Sequence, residues 1–369
     1  MHVCSIVGAR PQFVKAAVVS RQLREVGEET LVHTGQHYDE ELSDVFFEEL
    51  DIPEPEYNLG VESETHGRQT AAMIARLESV VDEIDPDVLL LYGDTNSTLA
   101  GAVVGSKRDV TVAHVEAGLR SENRAMPEEI NRILTDHASD LCFVPSETAV
   151  RNLADEGITD GVHWTGDVMY DAILDARERS RRRSTILEDL DLEEGKFALA
   201  TVHRAGNTDD RSNLAAIVDG LASSPLPVVF PAHPRTVDKL REYGLWTRAT
   251  THLEIIDPQG YLDFVRLLDG AERVATDSGG VQKEAFFCST PCLTMRAETE
   301  WVETVDCGWN RLVGPDEARI REALHADWTP TSHPHPYGDG TAGHRIVSLL
   351  SDHVTTDAPD PALETASLD

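Results

Sequence analysis

Positive charge is what this 369-residue chain has least of. It carries 32 basic residues against 66 acidic ones, for a formal net charge of −34, and only Lys15, Lys107, Lys196, Lys239 and Lys283 are lysines. A surface this acidic repels nucleic acid and anionic membranes, which excludes both as partners. The five cysteines (Cys4, Cys142, Cys288, Cys292, Cys307) form no Cys-x-x-Cys pair and lie mostly in apolar runs. They read as reduced core residues of an intracellular protein. No apolar run approaches the ~18 residues of a membrane span, and Met1-His2-Val3 leads into a strand without a signal peptide. A soluble, cytoplasmic protein is expected. No Gly-x-Gly-x-x-Gly follows the first apolar run, which argues against a nicotinamide enzyme. No internal repeat is visible.

What is present fits two globular domains: 40% hydrophobic residues over a length that is long for one core. Many acidic residues, abundant arginine and little lysine suggest a protein built for high salt, where screening removes self-repulsion. An acidic enzyme of ordinary salt is the alternative.

The chain is organised around Ala275-Thr-Asp-Ser-Gly-Gly-Val-Gln-Lys-Glu-Ala285. Arg273–Ala275 reads as a strand end, and a helix runs from the glycines through Phe287. Asp277 and Ser278 suit a helix N-cap, and Gly279 and Gly280 let a ligand approach the backbone. The N–H groups of such a turn bind anions, phosphate above all. Gln282 and Glu284, one turn on, are placed to reach the sugar side of a bound nucleotide sugar.

Apolar runs alternate with helical patterns along the chain. Val3–Val7, Thr30–Thr34, Asp87–Tyr92, Val110–Val115 and Leu141–Val144 read as strands, then Phe197–Thr201, Pro227–Phe230, Leu253–Ile256 and Pro291–Thr294. Helices are expected at Asp39–Leu50, Gly67–Glu83, Leu99–Ser106, Glu147–Glu156, Asp210–Leu221 and Gly260–Leu268, with one starting at Pro127 and another at Val168. The basic run Arg177–Arg183 reads as a solvated face. This alternation predicts an α/β protein of two Rossmann-like, parallel-sheet domains facing a cleft. The expected division is 1–166 and 167–341. A last helix near 342–354 rejoins the first domain, and an acidic tail, 355–369, reads as disordered.

Arg10 and Lys15 stand at the turn after the first strand, on the ligand side of such a sheet. Asp94 and Glu116 follow the ends of two strands, where open α/β sheets bind their ligands, so an acid–base pair is plausible there. Glu128 suits the first turn of its helix through the dipole. His114-x-Glu116 could open a deaminase-type zinc site, but no Cys-x-x-Cys completes it. His333-Pro-His335 reads as a loop, so no metal is expected.

Gly8–Lys15 (GARPQFVK), Thr34–His37 (TGQH), Gly93–Thr95 (GDT), His114–Arg120 (HVEAGLR) and Pro127–Arg132 (PEEINR) resemble, in order, the motifs of the non-hydrolysing UDP-N-acetylglucosamine 2-epimerases. Gly166–Asp171 (GDVMYD), His203-Arg204, Asp257–Gln259 (DPQ), Thr276–Glu284 and Tyr337–Gly340 continue the match. The resemblance implies the glycosyltransferase-B fold, a homodimer, and interconversion of UDP-N-acetylglucosamine and UDP-N-acetylmannosamine for surface polysaccharides or glycoprotein glycans. UDP leaves from C1, a base takes the C2 proton to give a 2-acetamidoglucal, and protonation on the other face precedes return of UDP. Such a route needs acid–base groups and a diphosphate cradle, but no NAD, PLP or metal.

By the same resemblance Asp94, Glu116 and Glu128 are the catalytic carboxylates, and His203 assists at the diphosphate. Arg10 and Lys15 bind the nucleotide, Gln259 and Phe264 hold uracil, Ser278, Gly279 and Gly280 the phosphates, and Glu284 the ribose. Gln36, His37 and His233 lie on loops that could serve a regulatory substrate site. Two departures bear on the substrate. Trp301 stands where the family carries a ligand-binding arginine, and Gln12-Phe13 follows Arg10-Pro11 where bacterial members carry Glu. The second form is shared with epimerases of UDP-2,3-diacetamido-glucuronate, the alternative substrate. A UDP-sugar glycosyltransferase, a hydrolysing epimerase and a non-catalytic UDP-sugar sensor are the remaining rivals.

Overall fold

The computed structural model describes residues 1–36, 54–62 and 64–357. The helix expected over Asp39–Leu50 lies outside these. The chain divides into two compact units, Met1–Ala172 with Pro336–Asp369, and Ile173–His335.

Unit 1 is built on seven parallel strands: β1 (His2–Val7), β2 (Glu28–His33), β3 (Tyr57–Asn58), β4 (Val88–Tyr92), β5 (Thr111–Val115), β6 (Leu141–Val144) and β7 (Val162–Trp164). Their order across the sheet is β3-β2-β1-β4-β5-β6-β7. Unit 2 repeats the pattern with β8 (Ala198–Thr201), β9 (Val228–Pro231), β10 (Glu254–Ile256), β11 (Arg273–Thr276), β12 (Cys292–Thr294) and β13 (Asn310–Leu312), ordered β10-β9-β8-β11-β12-β13. Each sheet therefore reverses its winding once, between β1 and β4 and between β8 and β11. Ligands of doubly wound sheets bind beyond the strand ends at that reversal.

Strands covered on both faces must be apolar throughout, and every residue of β4 is buried. Cys4, Ile6, Val32, Leu77, Leu89, Leu91 and Val112 form the core of unit 1. Leu199's neighbours Ala198 and Ala200 join Leu214, Ile217, Phe230, Leu293 and Ile320 in unit 2.

Several elements depart from the expected ones. β7 and β13 are only three residues long and carry no run that announces a strand. The helix after β4 begins at Asn96 rather than Leu99, because Thr95 and Thr98 close a capping box around its first turn. Pro231–Pro234 opens a helix, Pro234–Glu242, with proline at its first position. Trp246–His252, Val302–Asp306 and Glu317–His325 are further helices. The last helix is Ala342–Asp357, so residues 355–357 are helical and not part of a tail. Arg177 and Arg181 are not simply a solvated face: both nitrogens Nε donate to the buried Asp269 carboxylate at 2.8 Å. Among the described residues, no helix is long and apolar enough to cross a membrane.

Candidate active site

In unit 1 the turns that follow β1, β4 and β5 bring four charged residues together. Lys15, in the first turns of the helix Arg10–Val26, pairs with Glu116, which follows β5 in a left-handed conformation (φ 72°). Both side chains are nearly buried. Gly93 (φ 65°) lies directly beneath them; a Cβ there would come within 3.2 Å of Lys15 Nζ and 3.6 Å of a Glu116 oxygen. Gly93 is thus required both by its backbone angle and by the pair above it. Next along the chain, Asp94 pairs with Arg132 of the helix Pro127–Ala138. The guanidinium also reaches Glu129 at 3.0 Å, and Glu116 lies within its electrostatic range. Arg132 therefore faces a nest of three carboxylates, a role not foreseen from sequence.

The support beneath this nest is equally specific. His114, fully buried on β5, faces Asp136 with Nδ1 and the Gly93 carbonyl with Nε2, each at 2.7 Å. Both ring nitrogens are committed to holding the Gly93 turn, so His114 is not a metal ligand in waiting. Burial pushes Asp136 up, but His114 and Arg120 outweigh it and hold its carboxyl below the usual range. Glu129 is likewise held low: Ser121 N–H and hydroxyl, Arg132 and Glu122 N–H overcome its burial. Asn131 donates to the Asp94 carbonyl at 3.0 Å, fixing that turn from the same helix.

Glu128 is half-buried and makes no hydrogen bond or ion pair among the described residues. Its spacing of three and four from Asn131 and Arg132 puts it on the helix face that carries them. Arg10 is the first residue of its helix. Gln12 points inward: its oxygen accepts from Gly8 and Ala9 N–H at 2.8 and 3.0 Å, and its nitrogen donates to the Tyr92 carbonyl at 2.7 Å. It ties the β1 turn to β4 and is buried, so its identity does not report on the ligand. Gln36 is engaged by Ser97, whose N–H and hydroxyl both donate to its oxygen. His37 lies outside the described residues.

In unit 2 the turn after β11 has the expected shape with one correction. Ser278 alone caps the helix Gly279–Phe287, its hydroxyl accepting from Val281 N–H. The first-turn N–H groups of Gly279 and Gly280 have no carbonyl partner within the helix, as an anion site requires. A Cβ on Gly279 would collide with the Glu300 carboxylate and sit 3.6 Å from Arg204 Nη2. Arg296 holds Glu300 at 3.0 Å. Arg204 thus stands beside Gly279, and Arg296 is paired with the carboxylate that faces it.

Asp277 is not a cap. It is fully buried and accepts the N–H groups of His203 and Arg204 and the Asn207 amide. His203, on the neighbouring β8 turn, is thereby tied to the anion turn. Its side chain is 47% exposed, and its pKa is lowered because partial desolvation outweighs the attraction of Asp277. Gln282 is also internal: it is fully buried and its oxygen accepts from Thr299 and Asn310. Trp301 is buried too, donating to the Gly279 carbonyl at 2.8 Å with Lys283 Nζ 4.1 Å from its ring centroid. It supports the turn from below. Glu284 is half-buried on the same helix. His233 caps the helix Pro234–Glu242 by accepting from Arg235 N–H, while also lying in the electrostatic range of His203. Gln259 and Phe264 sit after edge strand β10, Gln259 bonded to the Asp257 carbonyl, and among the described residues no hydrogen bond or ion pair joins them to the turn at 278–280. His333 stacks on Phe286 and bonds its carbonyl at 2.7 Å. Among the described residues, no group of three or more His, Cys, Asp or Glu is disposed to hold a metal.

The model of one protein family, UDP-N-acetylglucosamine 2-epimerase, matches residues 21–351. A Methanococcus maripaludis protein named UDP-N-acetylglucosamine 2-epimerase homolog is 48% identical over 355 residues, covering 95% of this chain and 99% of that protein. The UDP-2,3-diacetamido-2,3-dideoxy-D-glucuronate 2-epimerase of Pseudomonas aeruginosa is 46% identical over 361 residues, covering 95% and 99%. Among solved structures, the Methanocaldococcus jannaschii UDP-GlcNAc 2-epimerase in complex with UDP-GlcNAc and UDP is similar with a TM-score of 0.85 at 40% identity. That match covers 95% of this chain and all of the other.

Proposed function

The chain belongs to the UDP-N-acetylglucosamine 2-epimerase family of isomerases, and from that premise we propose that it inverts C2 of UDP-N-acetylglucosamine, reversibly, to give UDP-N-acetylmannosamine. The observation that carries this reading is the carboxylate nest of unit 1, Asp94 and Glu116 with Lys15 and Arg132, at the reversal of its sheet. Proton removal and return at one carbon need such groups, and the low-dielectric setting strengthens them. The C1–O bond breaks with its electron pair going to UDP, and the C2 proton passes to a base among Asp94, Glu116 and Glu128. The resulting C1–C2 double bond is then protonated at C2 from the opposite face, and UDP oxygen adds back to C1. No water is consumed.

In unit 2, Ser278, Gly279 and Gly280 take the diphosphate, with Arg204 and Arg296 as local cations. His203 assists there, Gln259 and Phe264 take uracil, and Glu284 the ribose. In unit 1, Arg10 and Lys15 are proposed as nucleotide-binding residues. The enzyme works in the cytoplasm as a homodimer in a salt-rich interior, and its product feeds polysaccharide or glycan synthesis. The charge of −34 and the scarcity of lysine support the salt reading.

The second substrate reading, UDP-2,3-diacetamido-2,3-dideoxyglucuronate, is favoured by the 46% identity to a relative of that name. Proton NMR in D₂O with 2–3 M KCl tests both. UDP-N-acetylmannosamine carrying deuterium at C2 supports the first. No exchange with UDP-N-acetylglucosamine, but exchange with the diacetamido sugar, replaces it. Free N-acetylmannosamine with UDP overturns both in favour of a hydrolysing enzyme.

A further inference from the structure

The geometry points to Asp277 as the positioning residue for His203: it holds the imidazole with Nδ1 protonated and leaves Nε2 for the diphosphate. The inference rests on the reading of His203 given above. Asp277 follows β11 and His203 follows β8, so the two stand side by side at the reversal of the unit 2 sheet. Oxygen Oδ2 of Asp277 is filled by His203 N–H at 3.2 Å, Arg204 N–H at 3.1 Å and the Asn207 amide at 3.0 Å. Asn207 is itself fixed, donating also to the Met295 carbonyl at 3.0 Å. The other oxygen, Oδ1, shares only the His203 N–H and lies 3.3 Å from His203 Nδ1.

At 3.3 Å from that carboxylate a nitrogen lone pair is repelled and a proton is attracted. The carboxylate therefore selects the Nδ1–H form of the ring, and Nε2 has no recorded partner among the described residues. Three charged or titratable groups face the ring: Asp277 from the β11 turn, Arg204 from its own loop and His233 from the β9 turn. Burial, Arg204 and His233 favour the neutral ring, and Asp277 opposes them. When an anionic diphosphate arrives, Nε2 takes a proton from solvent and donates it as a hydrogen bond, and Asp277 stabilises the imidazolium so formed. A buried carboxylate behind a histidine does this in other enzymes, where its amide variant costs about 10⁴-fold in turnover through the wrong tautomer.

Asp277→Asn separates this role from a structural one. Its amide oxygen in the Oδ2 place keeps the three N–H bonds made there, while its NH₂ group gives up the Oδ1 share of the His203 N–H and faces Nδ1, which favours the Nε2–H tautomer. Long-range proton–nitrogen NMR on histidine-labelled protein should show His203 protonated at Nδ1 in the wild type and at Nε2 in the variant. Turnover should fall at least about 10²-fold with KM changed less than about threefold, because a neutral Nε2–H stabilises the charge developing on the departing diphosphate less than the imidazolium that Asp277 supports. The high-pH limb of the rate profile should also move to lower pH, because the working ring is protonated and the variant lacks the charge that raises its affinity for protons. Wild-type His203 carrying its proton on Nε2, or a variant with normal turnover and pH profile, would overturn the inference. The wild-type tautomer answers the question even where the variant does not fold. A wild type that exchanges no C2 proton yet shows Nδ1–H would sink the reaction assigned above and not the positioning.

Discussion

Asp171 offers a test in which sign and size both come from the structure. It stands in the first turn of the helix Val168–Arg183 and accepts the Gly343 N–H at 2.9 Å, at the start of the last helix. Its other oxygen is buried and has no hydrogen-bond partner among the described residues. Burial dominates, the Gly343 and Ala342 N–H groups offset part of it, and the carboxyl is pushed up from 3.8 to about 6. An acid raised in the folded state keeps its proton while the unfolded chain releases its own. Stability is therefore lost as pH rises from 3.8 towards 6, and the deficit is constant above that window. The full deficit is about 3 kcal/mol. In Asp171→Asn the amide oxygen keeps the Gly343 bond, and the NH₂ group inherits the unpartnered place at a cost of about 1–2 kcal/mol. The variant should be more stable than wild type by about 1–2 kcal/mol at pH 7.5, a rise of roughly 2–8 °C in Tm, and no more stable at pH 4.5. Calorimetry of both proteins at fixed KCl reads the difference between them, which cancels the other titrating carboxylates. A difference that does not change with pH, or one of opposite slope, refutes the argument.

Arg132→Met should cost about 2–3 kcal/mol, below the usual 3–5 for a broken buried pair, because Glu129 keeps its Ser121 and Glu122 donors and Asp94 is a third exposed. Urea unfolding checks the stability, and deuterium exchange at C2 should fall at least about 10²-fold; unchanged exchange would detach Arg132 from the site. Gln12→Glu replaces the donor to the Tyr92 carbonyl with an anion and should destabilise by about 2–4 kcal/mol at pH 8. Acidification should restore the loss, since the protonated acid donates again, and a pH-independent cost would refute this account of Gln12. With a charge of −34, self-repulsion is screened only when the Debye length falls to about 3 Å, near 1 M salt. Tm and turnover should both rise steeply between 0.1 M and 2 M KCl, and an unchanged Tm at 0.1 M would contradict the salt reading.

The sheets were legible because parallel strands buried on both faces must be written as continuous apolar runs, as in Val88–Tyr92. Edge strands escape that rule. β7 has no fully buried residue and β13 only one, so neither needs such a run. The helices Pro234–Glu242 and Glu317–His325 were obscured for a related reason: each buries only two or three side chains, so its apolar stripe is thin among charges. The motifs Gly166–Asp171 and Tyr337–Gly340 were legible as signatures, but not in their meaning. They are one backbone junction within unit 1, where Asp167 N–H meets the Tyr337 carbonyl at 2.9 Å and Asp171 receives the last helix.

At the candidate site, Asp94, Glu116 and Ser278 could be read from sequence because position alone marks them: each follows a strand at the carboxyl edge of its sheet. Arg132 and Asp277 could not, because what defines them is a partner far along the chain. Arg132 meets Asp94 across 38 residues, and Asp277 meets His203 across 74. Local rules instead gave Asp277 a cap on the next helix and gave Arg132 no task of its own. The same logic removes weight from the two departures at Gln12 and Trp301. Both side chains are buried and make hydrogen bonds to the turns they support, Gln12 also to the Thr98 hydroxyl. A change of residue there alters how firmly a turn is held, so the choice between the two candidate sugars must rest on residues whose side chains reach the ligand.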